Sequence, residues 1–102
     1  MAALLGFAGL VPAAASPVSP AKSVTVYTAP WCGACRMLEA GLQERKIPFQ
    51  AINIEKNTDA FRHAQQVTGA SAIPLTNVVY DGKEQWVIGV NLQAVERAYR
   101  GQ

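Results

Sequence analysis

At 102 residues, half of them apolar, the chain has the size of one domain and can bury a modest core without a framework of several disulfides. Nine Lys and Arg stand against seven Asp and Glu, a net charge of +2, and the two signs are interleaved, so neither a basic stripe for nucleic acid nor an acidic tail is present. A glycine-rich phosphate loop, an internal repeat and a mature apolar run of bilayer length are missing too, which removes nucleotide chemistry and a membrane span from consideration.

The first twenty residues, MAALLGFAGLVPAAASPVSP, carry no charged side chain and pass from an apolar run through Ala13-Ala14-Ala15 to Ser and Pro. This pattern predicts a leader over residues 1–22: a signal peptide cleaved near Ala15, then a Pro/Ser tether, ahead of a domain over residues 23–102. No Lys or Arg precedes the run, and the competing reading is a plain apolar tail. With the leader cleaved the protein is extracytoplasmic, periplasmic or secreted; otherwise it is cytoplasmic.

Val24 to Thr28 (VTVYT) is β-branched and aromatic and reads as a strand. From Gly33 to about Lys46, Met37, Leu38 and Leu42 recur at helical spacing, predicting an amphipathic helix, and Gly41 inside it reads as a packing position. Pro48 to Ile54 (PFQAINI) follows as a second strand, parallel to the first because the helix between them is a crossover. Asn57 is the expected cap of a second helix, with Asp59 in its first turn, Phe61, Ala64 and Thr68 on one face and Gly69 as its stop. Leu75 to Tyr80 and Lys83 to Ile88 read as a hairpin about Asp81-Gly82. Behind Asn91, Leu92, Val95 and Tyr99 mark a short terminal helix. The order is βαβαββα, an α/β class.

Cys32 and Cys35 stand two residues apart where the first strand gives way to the first helix. At a helix N-terminus the unpaired N–H groups stabilise a thiolate, so Cys32 is expected to ionise below the free thiol value of about 8.5 and to act as nucleophile. Cys35, one turn in and more sheltered, is the expected resolving thiol. A zinc site needs more ligands than two cysteines and one histidine, and His63 lies about 200° round its helix from Phe61, toward solvent. A soft ion such as copper(I) on two thiolates stays open, as does a static staple, although so short a loop constrains the unfolded chain little.

From Val24 to about Tyr99 the sequence resembles the thioredoxin superfamily, and its glutaredoxin branch in particular, through VTVYTAPWCGAC, KIPFQAINIEKN, TGASAIPLTNVV, YDGK and IGVNLQAV in that order. The resemblance implies a thioredoxin-like fold with a four-stranded mixed sheet flanked by three helices. It also implies a cis Pro74, an extended substrate or glutathione pairing as an added strand with the backbone of Ile73, and an apolar docking surface shaped by Trp31. Several positions depart from the branch. Thr28-Ala29 stand where a lysine is common, Gly33-Ala34 where an aromatic residue is common, and a single Gly89 with Asn91 replaces a Gly-Gly and an acid. The buried acid of thioredoxins is absent from VTVYT. Trp86 reads as structural, Pro30 as a turn residue and Arg36 as a solvated helix charge.

The expected function is thiol–disulfide exchange through Cys32 and Cys35, with Trp31, Ile73 and Pro74 binding substrate and no metal. The expected partners are disulfide-bearing proteins or small thiols and a recycling reductase or oxidant. No tightly bound cofactor is implied, glutathione enters as a co-substrate, and the protein is expected to be a monomer. The alternatives from other classes are an extracytoplasmic copper(I) carrier and a redox-inert domain that binds a partner.

Overall fold

The structure is a computed structural model that describes residues 22–102; the expected leader and its cleavage near Ala15 lie outside the described residues. The elements are β1 (Lys22–Thr28), α1 (Gly33–Glu44), β2 (Gln50–Asn53), α2 (Thr58–Thr68), β3 (Leu75–Tyr80), β4 (Lys83–Ile88) and α3 (Leu92–Tyr99), in the expected order. One sheet runs β2-β1-β3-β4. β1 and β2 are parallel across the α1 crossover, with Val26 opposite Ala51, while β3 pairs antiparallel with both β1 and β4. This is a thioredoxin-like α/β fold with a mixed sheet and three helices.

Alternation along the strands decides what each face buries. Val24, Val26, Val78 and Val87 meet Leu38 and Leu42 of α1 and Val95 and Ala98 of α3 on one face. Tyr27, Leu75 and Trp86 meet Ala60, Phe61 and Ala64 of α2 on the other. The Tyr27 and Trp86 rings lie 5.8 Å apart between centroids, in keeping with a structural Trp86. Helix α3 is capped as expected, Asn91 Oδ1 accepting the Ala94 N–H at 3.0 Å. The hairpin turn has positive φ at both central residues, Asp81 (52°) and Gly82 (80°), the geometry that suits the twist of paired strands.

Four expectations need correction. Met37 is 65% exposed; the buried stripe of α1 is Cys35, Leu38, Gly41 and Leu42, and Met37 lies two residues, about 200°, from Cys35. Asn57 holds the cap position of α2 without capping it: its amide donates instead to the Asn53 carbonyl at 2.9 Å. Helix α1 stops at Glu44, short of Lys46, because Lys46 turns left-handed (φ 57°) and Ile47 N–H closes back on Leu42 O at 2.9 Å. β2 covers only four residues of the expected Pro48–Ile54.

Candidate active site

The parallel pairing of β1 and β2 sends the loops after both strands to the same edge of the sheet, the edge where open α/β sheets bind ligands. The two exits are tied together, Ile54 N–H donating to Thr28 O at 2.9 Å. After β1 the chain turns through Ala29 and Pro30, with Cys32 N–H bonded to Ala29 O at 3.1 Å. Cys32 is the N-cap of α1: its backbone is extended, and its Sγ accepts the Cys35 N–H at 3.0 Å. Cys32 and Cys35 are joined as a disulfide, with Cα atoms 5.2 Å apart. Cys32 keeps 6% of its surface exposed and Cys35 none, so Cys32 is the member of the pair open to the outside.

Trp31 is 66% exposed and held by one polar contact, its indole N–H donating to Glu55 Oε2 at 2.6 Å. Glu55 is presented by the turn after β2, where its N–H bonds Asn53 Oδ1 at 2.8 Å. Arg36 is exposed on α1, as expected, and its guanidinium also donates to Pro30 O at 2.5 Å. The Ile73–Pro74 peptide is cis, as the resemblance implies, and Pro74 O accepts the Gly89 N–H at 2.9 Å. The backbone N–H and C=O of Ile73 make no hydrogen bond among the described residues. His63 is exposed on α2, as expected.

Cys32, Trp31 and Ile73 thus come together around a pocket of about 410 Å³ whose remaining walls include Ile54 and Phe61. Pro74 is buried beside it. A separate hollow of about 310 Å³ is lined by Pro30, Arg36, Glu39 and Asn53. Reasoning from sequence passed over Glu55 altogether and took Ile54 and Phe61 only as strand and helix residues. The available signal was topological: once β1 and β2 are parallel, residues 54 and 55 must leave the sheet beside the Cys32 loop. Among the described residues no three His, Cys, Asp or Glu side chains gather as metal ligands. Nor is any helix there long and apolar enough to cross a membrane.

Comparison with known proteins places this geometry in context. The family model described as Glutaredoxin matches residues 24–84, more than half of the chain. A Mycobacterium tuberculosis protein provisionally named a glutaredoxin is 32% identical over 60 residues, which cover 59% of this chain and 71% of that one. The gene 56 protein of Mycobacterium phage L5 is 33% identical over 52 residues, 51% of this chain and 50% of its own. Among solved structures, oxidized mitochondrial thioredoxin 3 from Saccharomyces cerevisiae superimposes with a TM-score of 0.62 at 22% identity, over 82% of this chain and 81% of that chain. Thioredoxin from Trypanosoma brucei brucei gives 0.61 at 21% identity, over 78% and 73%. At these identities the structural likeness is one of fold.

Proposed function

The chain belongs to the glutaredoxin family of thiol–disulfide oxidoreductases, and from that footing we propose that it exchanges a Cys32/Cys35 dithiol with the disulfides of proteins or of small thiols, glutathione among them. The observation that carries the reading is the placing of the two sulfurs: Cys32 Sγ accepts a first-turn N–H of α1 and has outside access, whereas Cys35 is sealed behind it. The same N–H groups that meet the sulfur of the disulfide would meet a Cys32 thiolate, and the helix dipole adds to their effect.

In the reductive direction the Cys32 thiolate attacks one sulfur of the substrate disulfide. A bond forms between Cys32 Sγ and that sulfur, the substrate S–S bond breaks, and the second substrate sulfur departs as a thiolate. With no acid in β1 to act as base, that departing thiolate or a water takes the Cys35 proton. The Cys35 thiolate then attacks Cys32 Sγ, breaking its bond to the substrate sulfur, closing the protein disulfide and releasing that sulfur as a thiolate, which takes its proton from water. Two electrons have moved from the dithiol to the substrate. A recycling reductase, or an oxidant for the reverse direction, restores the starting state.

The test is a pair of variants assayed on a disulfide-bonded protein. Cys32→Ser should reduce turnover to background, while Cys35→Ser should stop the reaction after its first step and accumulate the mixed disulfide, seen as a thiol-sensitive adduct in non-reducing electrophoresis. Equal accumulation by both variants would contradict the assignment of roles.

A further inference from the structure

Because Cys32 lines the 410 Å³ pocket, a disulfide delivered to its sulfur brings its flanking atoms against the other walls. These are Trp31, Ile54, Phe61 and Ile73, and none of the residues lining the pocket is charged. The charge attached to a wall is negative, the Glu55 carboxylate on the Trp31 indole. Neighbouring cations are otherwise engaged or lie elsewhere: Arg36 is bonded to Pro30 O, Arg62 pairs with Asp59 at 3.2 Å, and Lys56 does not line the pocket. Glutathione carries two carboxylates and one ammonium, a net anion, and its carboxylates find no lining cation here. The free N–H and C=O of Ile73, at the pocket edge, suit the peptide groups flanking the attacked cysteine, in an extended chain and in glutathione alike, so the discrimination falls to the uncharged walls.

In an extended segment the residues next to a cysteine point away from its face, and those two positions off point the same way, about 6.8 Å along the strand. A substrate cysteine aimed at Cys32 therefore turns the side chain two residues away toward the same surface. We propose that this pocket is a specificity site for a polypeptide disulfide carrying an apolar side chain two residues from the cysteine that Cys32 attacks, and that it selects such substrates over glutathione disulfide. The inference rests on the exchange reaction proposed above. In that first step the Cys32–substrate S–S bond forms and the substrate's partner thiolate leaves while the apolar side chain occupies the pocket.

The experiment uses the full chain, reduced, and short end-blocked peptides in which a single cysteine is disulfide-bonded to one chromogenic aryl thiol. In two series, the residue two before or two after the cysteine is Leu, Gly or Asp. A glutathione adduct of the same aryl thiol serves as comparison. In at least one series, kcat/KM for the Leu peptide should exceed that for the Gly peptide about tenfold, the yield of largely burying one such side chain. The Asp peptide should fall below Gly, and the glutathione adduct should be no faster than Gly. Trp31→Ala, at a position 66% exposed and outside the core, should bring the Leu-to-Gly ratio close to one; the ratio is read because it cancels any general loss of reactivity. Equal Leu and Gly rates in both series, a glutathione adduct as fast as the Leu peptide, or a ratio unchanged in Trp31→Ala each overturn the specificity site and leave dithiol exchange standing. Failure of every substrate to react overturns the exchange reaction itself.

Discussion

Lys46 and Gly101 close their helices in the same way with different residues. Each sits one residue past its helix cap with positive φ (57° and 76°), and in each case the following N–H reaches back five residues, Ile47 to Leu42 O and Gln102 to Arg97 O, both at 2.9 Å. Glycine adopts that backbone without strain, whereas a lysine Cβ crowds the following carbonyl. Lys46 is exposed, so Lys46→Gly should stabilise the protein by about 0.5 to 1 kcal/mol, measured as a higher urea midpoint at unchanged slope. Read from sequence, the first helix runs on to Lys46, because nothing in a lysine marks a left-handed turn; here the turn brings Ile47 into the core beside Leu42. The site is uneven in the same sense. Cys32 and Cys35 declare themselves by spacing, but the Trp31–Glu55 bond joins residues 24 apart, and the bond from the exposed Arg36 to Pro30 O depends on how the loop before α1 turns.

At the scale of elements, the contact of α1 with α3 depends on the lack of a side chain at Gly41. A Cβ there would run into Leu92 Cδ1, Cδ2 and Cγ together, so the whole isobutyl group has to move. Alanine in a helix interior gains about 1 kcal/mol over glycine, while overpacking a contact costs about 1 to 3 kcal/mol. With three Leu92 atoms in the way the second effect should win, and Gly41→Ala should destabilise by about 1 kcal/mol. In a Leu92→Ala background the obstruction is gone and the same change should be neutral or favourable, giving a coupling of about 1 kcal/mol or more in a thermal double-mutant cycle. Additive effects would refute the close-approach reading. The interior glycine was legible as a packing position, and the hairpin was legible to its end residues, since turn chemistry and alternation are local. Met37 and the β2 limits were not. Which stripe of a helix is buried, and how far an edge strand pairs, depend on neighbours that periodicity does not name.

For the whole molecule, the order βαβαββα, the parallel first two strands and the hairpin were legible from the residues, while the joining of all four strands into one mixed sheet was what the family resemblance implied. The molecule's response to pH depends on tertiary contacts at the two ends of the scale. Glu96 is held below the ordinary carboxylate range, first by its hydrogen bond from Arg100 and also by Arg45, which ties α1 to α3 at 3.1 Å; partial burial opposes both. Tyr27 is pushed above the ordinary phenol value, first by burial and then by the Glu84 charge. A depressed carboxyl contributes stability that is present above its unfolded value and lost as pH falls through its folded one. A raised phenol contributes stability that is complete below its unfolded value of about 10 and lost as pH climbs toward its folded one. Stability should therefore hold a plateau through neutral pH and fall at both edges. Glu96→Gln should lower the plateau and flatten the acid edge, leaving the alkaline edge unchanged, and Tyr27→Phe should flatten the alkaline edge alone. Urea midpoints collected from pH 3 to 11 decide the matter: an acid edge just as steep in Glu96→Gln would mean that other carboxylates govern acid unfolding and that the Arg45–Glu96–Arg100 group contributes nothing to it.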